Sequence, residues 1–304
     1  MRPIVSEKNH KYLSTFIVSF GMLLGFEALS YIVGIYQLNT GLFVAFYVYA
    51  FHIFWLTFLF DLHLKKRSVL AAAGLDHKGA QMVWNACKER VRHVFQWEYF
   101  RHYQNYLVLP GLLYWATVIL IFLNPFNTLL KQSVIFSASI AMTVAYWFIK
   151  EHFSKRLEAQ YHWITVLALV KLFTAFLIYS AVIGVTFHYG YDVGFLLPAV
   201  VTITFLLVYQ ALFQHNLLSF PIFIWIVILA LVMGIVSVWV YNYWNTEYFT
   251  AGLVMVAVYN MLWGILHHYL DKTLTQKVVF EYLAMMILII SFLFASHNFN
   301  QRVI

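Results

Sequence analysis

Histidine and carboxylate recur at one-turn spacing along this chain. Glu98 and His102 are four residues apart, as are Glu158 and His162, His267 and Asp271, and Glu89 and His93. On a helix, residues i and i+4 point along the same side, so each pair offers two ligand groups to one ion. Asp61 and His63 stand two apart. Imidazole and carboxylate without thiolate suit iron, zinc or manganese, and facing helices that each bring such groups build di-iron centres. The candidate metal set is Glu98, His102, Glu158, His162, His267, His268 and Asp271. His268 lies about 100° around the helix from His267, so one ion cannot take both from an undistorted helix, and a site needs at least one more helix. The same spacing has a plainer use. Glu–His pairs stabilise exposed helices by a few tenths of a kcal/mol, which suits Glu89 and His93, and histidine fits the headgroup layer as an apolar body with a polar tip.

A second group consists of Glu27, His52 and Lys171, each inside a long apolar run. At ~1.5 Å per residue, Lys171 lies about 13 Å into its run, Glu27 about 22 Å and His52 about 15 Å from the far end of its own. A charge at such depth costs at least ~2.5–3.5 kcal/mol unless it is paired or hydrated. Glu27 with Lys171 is the natural pair, either as a functional centre or as an ion pair that fixes helix packing. Lys171 does not match a retinal-type Schiff-base lysine, which needs the last of seven helices.

The elements that must carry these residues are membrane helices. Of 304 residues, 63% are hydrophobic and 10% charged, and mean hydropathy is +0.77; soluble domains carry about 25% charge. The apolar runs approach or exceed the ~20 residues that span a bilayer, too long and continuous for the ~10-residue alternation of a membrane β-barrel. Tyr and Trp gather near the ends of the runs, as in an aromatic belt. We expect an all-α polytopic bundle, residues 1–304 forming one membrane domain, with nine spans at about 12–36, 42–62, 106–123, 132–150, 162–187, 194–213, 221–243, 248–270 and 278–296. The first run continues past Ser30 to about Tyr36, which favours a membrane helix over a cleaved signal peptide.

Orientation follows from Lys and Arg. With the N-terminus inside, 16 of the 19 fall in cytoplasmic segments, Lys131 and Arg302 fall outside, and Lys171 is within a span. The positive-inside rule then puts the N-terminus in the cytoplasm and, with nine spans, the C-terminus on the other side. Ten of the thirteen histidines fall at the cytoplasmic side. The formal charge of +7 is accounted for by topology, without nucleic acid. Residues 64–105 form a basic amphipathic segment, with Val83, Cys87, Val91 and Val94 at helical spacing. It is expected to lie on the inner leaflet against anionic lipid, or else to dock a protein partner. Cys87 is the only cysteine, which excludes an intramolecular disulfide. Gly21 and Gly25 form a Gly-x-x-x-Gly pattern that predicts a close helix contact.

There is no glycine-rich phosphate loop, no Gly-x-Ser-x-Gly elbow and no paired-Asp prenyl-diphosphate motif. Two functions follow from the two groups. One is a histidine-rich membrane metalloenzyme acting on a lipid or other apolar substrate at the cytoplasmic face. The other is a transporter, channel or membrane-complex subunit, in an oligomer or a larger assembly, that uses Glu27, His52 and Lys171.

Overall fold

The computed structural model describes residues 19–32, 40–50, 88, 97–123, 128–153, 160–214, 220–244 and 247–296. Within them the elements are α1 (Ser19–Ile32), α2 (Thr40–Ala50), α3 (Trp97–Leu123), α4 (Thr128–Phe153), α5 (Gln160–Tyr189), α6 (Val193–Gln214), α7 (Phe220–Tyr243), α8 (Tyr248–Leu270) and α9 (Gln276–Ser296). No strand occurs among the described residues. Every backbone donor and acceptor must be satisfied internally in lipid, and helices built from continuous apolar sequence do this segment by segment. Six of them, α4 to α9, are long and apolar enough to cross a membrane; Ser19–Ile32, Thr40–Ala50 and Val108–Leu123 are shorter apolar helices. Apart from the helical backbone of α3, nearly all of the basic segment at 64–105 lies outside the described residues, as does His52.

The helices fall into two compact units. The first comprises Met1–Tyr114 and Phe126–Val170, the second Trp115–Pro125 and Lys171–Ile304. In the first, Tyr114 organises α1, α2 and α3. Its hydroxyl donates to the Ala45 carbonyl at 2.8 Å, and its ring stacks on Tyr49 at 5.1 Å and meets Phe26 at 5.8 Å. Gly111 faces the Tyr49 hydroxyl, so the missing Cβ leaves room for that side chain between α3 and α2. Gly21 and Gly25 have nothing within 4 Å of a built Cβ. The close contact expected there is absent among the described residues, because α1 packs through Phe26, Leu29 and Ser30 instead.

Burial differs sharply between helices that reach into the second unit: 67% of Val166–Tyr189 on α5 is buried, against 6% of Gln276–Ala295 on α9. Tyr179 on α5 is fully buried, shares a 2.8 Å hydrogen bond with Thr204 of α6 and lies edge-on to Tyr259 of α8. Thr186 and Thr204 also donate to the carbonyl four residues back, at 2.8 and 2.7 Å. These two hydroxyls are thus buried without being left unsatisfied. Ser180 packs against Gly252, and Gly184 against Tyr248, which sets α5 and α8 antiparallel. Aromatics crowd the end of this unit formed by the α5–α6 and α7–α8 connections, where Phe187 stacks on Tyr241 and Trp244 meets Phe294.

Candidate functional site

The turn from α8 to α9 positions the best-defined polar cluster. Asp271 caps α8. Lys272 follows in the left-handed region at φ 57, its N–H bonding to the Tyr269 carbonyl at 3.2 Å while Thr273 N–H bonds to the His268 carbonyl at 2.9 Å. These two bonds form a Schellman motif. Gly190 ends α5 in the same way, with φ 65 and a Tyr191 N–H bond to Thr186. At Lys272 a side chain stands where glycine is favoured, and its cation faces the negative end of the helix dipole. Lys272→Val should cost about 1–2 kcal/mol, because a β-branched side chain tolerates φ > 0 least; Lys272→Asn should be close to neutral. Thermal unfolding of the purified variants checks this.

The turn brings the Thr273 hydroxyl to His268 Nδ1 at 2.8 Å. His267 Nδ1 lies 3.5 Å from Asp271 Oδ2, with the two side chains 26% and 41% exposed. The cluster is therefore neither sealed in the core nor free on the surface. The rings of His267 and His268 are 84° apart in plane, in keeping with their angular separation on the helix. His268 turns towards α9, with Tyr282 at 6.0 Å, while Trp263 packs beside His267 at 5.5 Å. The Tyr282 ring lies across Gly264, which brings α9 onto α8.

Lys171 enters the site from α5. It is 9% exposed. Extending the Ser180–Gly252 and Gly184–Tyr248 contacts sets the Lys171 backbone level with Met261, six residues or about 9 Å from His267. A long lysine stem reaches along the helix to cover much of that offset. Among the described residues of its unit, Lys171 meets no carboxylate and no hydrogen-bond acceptor. On α6, Gln210 is 1% exposed and its Oε1 has no hydrogen-bond partner.

No group of three or more His, Cys, Asp or Glu able to hold a metal ion occurs among the described residues. At the α8–α9 turn the reason is geometric: His268 diverges towards Thr273 and leaves only His267 and Asp271 on one face. The side chains of Glu98, His102, Glu158 and His162 lie outside the described residues. Metal binding therefore gains no support here. Of the intramembrane group, Glu27 belongs to the first unit and Lys171 to the second. Glu27 lies with Gln132 and Ser133 in a groove between α1 and α4. That the α5–α8 seam sets Lys171 within about 9 Å, along the helix, of His267 was not apparent in the sequence, where 96 residues separate the two. The one hint was that both fall on the same side of neighbouring, oppositely directed spans.

No curated protein and no solved structure matches this chain. Residues 60–296, which include Lys171, His267 and Asp271, match the family described as "Protein of unknown function (DUF5656)", and the chain belongs to that family.

Proposed function

We propose that this multi-pass membrane protein is a carrier for an anionic solute, with Lys171 as its intramembrane counter-charge and His267–Asp271 as the polar group at the mouth. The observation that carries this reading is the burial of Lys171 among apolar helices with no carboxylate beside it among the described residues of its unit. An ammonium group in that setting is costly unless an anion joins it. A carboxylate or phosphate group entering from the α8–α9 end would supply that charge. Protonated His267 would place a second cation between Lys171 and the surface and draw the anion inward, while Asp271 would favour its release once His267 loses the proton.

The test is uptake by proteoliposomes of a panel of probes: a short carboxylate, a long-chain fatty acid, inorganic phosphate and a neutral sugar. Uptake of at least one anion and not of the sugar, lost in Lys171→Met protein that keeps its helical content and elution volume, is the expected result. Anion uptake that persists in Lys171→Met, or no anion uptake at all, overturns the proposal.

The reading takes the chain to cross the membrane nine times from a cytoplasmic N-terminus, as the 16-to-2 distribution of Lys and Arg argues. A reporter fused after Ile304 should then be non-cytoplasmic and one inserted beside Gly74 cytoplasmic. The reverse at either site breaks the nine-span topology and puts the His267 cluster on the opposite face.

A further inference from the structure

The groove that holds Glu27 has a chemistry of its own. It is open, has a volume of about 700 Å³, and is lined by Leu23 and Glu27 of α1 and by Leu129, Gln132, Ser133 and Phe136 of α4. Gln132 follows the Asn-Pro-Phe-Asn turn signal at 124–127 by five residues, about 7.5 Å of helix, and Glu27 lines the same groove, so the polar lining sits towards that end of α4. Leu129 and Phe136 are 74% and 59% exposed. In a bilayer such side chains face acyl chains, so this groove opens sideways into lipid. Among the described residues of its unit, no ion-pair or hydrogen-bond partner reaches Glu27.

The polar lining is rich in acceptors. The Glu27 carboxylate accepts only when ionised. The Ser133 hydroxyl spends its proton on the Leu129 carbonyl at 2.9 Å, which leaves its lone pairs for a visitor. The Gln132 side chain adds an amide oxygen. A primary ammonium carries three N–H donors and one positive charge, which matches three acceptors of which one is an anion. A trimethylammonium has the charge but no N–H, and a glycerol headgroup has donors but no charge. Leu23, Leu129 and Phe136 supply the apolar wall along which a hydrocarbon chain can lie.

We infer that the Glu27 groove binds a membrane lipid with a primary ammonium headgroup, the ammonium on Glu27, Gln132 and Ser133 and an acyl chain along Leu23 and Phe136. The occupant comes from the surrounding leaflet, since the groove opens to it. This site is independent of Lys171 and does not rest on the carrier reading.

The experiment uses the full chain purified in a mild detergent and offered equal amounts of phosphatidylethanolamine, phosphatidylcholine and phosphatidylglycerol, with bound lipid read by native mass spectrometry. The wild type should retain phosphatidylethanolamine at least fivefold over either competitor. Glu27→Gln should abolish the preference while leaving total bound lipid unchanged. Gln132→Lys, on an exposed position of α4, places a cation beside Glu27 and should abolish it as well, so the inference does not depend on one variant folding. A parallel arm offers dodecylamine without lipid. Glu27-dependent binding of dodecylamine is expected as well; equal retention of the three lipids, a preference that survives Glu27→Gln in folded protein, or no Glu27-dependent binding of dodecylamine would overturn the inference.

Discussion

Lys171→Met is expected to raise the stability of the folded protein by roughly 2 kcal/mol while it removes anion uptake. Methionine keeps the length and flexibility of the lysine stem, so the α5 packing is retained. It deletes an ammonium whose placement at this depth costs on the order of 2.5–3.5 kcal/mol without a partner. Lys171 is 9% exposed and meets no carboxylate in its unit among the described residues, so removing it strands no opposite charge there. The sequence alone favours the opposite outcome. If Glu27 were its ion-pair partner, losing Lys171 would leave a buried carboxylate and cost a few kcal/mol. Thermal unfolding in detergent of Lys171→Met, Glu27→Gln and the double variant separates the two. A gain in the Lys171 single variant, additive with the effect of Glu27→Gln, fits an unpaired lysine kept for function. A loss in each single variant that the double variant restores would establish the pair and remove the basis of the carrier reading.

Gly252→Leu is expected to be the most damaging change in the second unit, by about 3 kcal/mol. Overpacking typically costs ~1–3 kcal/mol and more where the neighbour is backbone. A Cβ at position 252 would lie 3.1 Å from both the Ser180 backbone nitrogen and its Cβ, and nearer still to the hydroxyl. α8 would have to move away from α5, and the Tyr179–Tyr259 contact, at 6.2 Å between ring centres, lies along the same seam. Gly252→Ala should cost less, and Ser180→Gly should recover part of that loss, because removing the Ser180 side chain leaves only the backbone in the way. Parallel unfolding curves provide the double-mutant cycle. Because His267 lies on the same helix, Gly252→Ala should also reduce anion uptake; full uptake with a shifted seam would separate the mouth of the site from the α5–α8 spacing.

Much of the helical plan was legible from residue type alone. Apolar runs of twenty or so residues have one way to satisfy their backbone in lipid, so α4 to α9 stand where the sequence placed spans, and Tyr248–Leu270 has the same limits as its expected span. The partition of His267 and His268 to different faces was equally local, since helical geometry alone separates neighbouring residues by about 100°. Helix ends were harder. Nothing in the residue type of Lys272 announces a left-handed turn, which glycine at position 190 does announce.

Which helices touch was decided only by the tertiary structure. Gly21 and Gly25 carry the pattern of a close contact and make none among the described residues, whereas Gly252 of α8, without that pattern, packs directly against Ser180 of α5. A small residue permits close approach, but the rest of the helix face determines whether a neighbour takes it up. The same holds for charge. Depth along a span is a one-dimensional quantity and can be read by counting, which is all that pairs Glu27 with Lys171 in the sequence. Partnership also requires rotation about each helix axis and adjacency within the bundle. These depend on contacts such as Tyr179 with Thr204 and Tyr282 across Gly264, between residues far apart in the chain. Within its own unit, Glu27 lines the groove with Gln132 and Ser133 of α4.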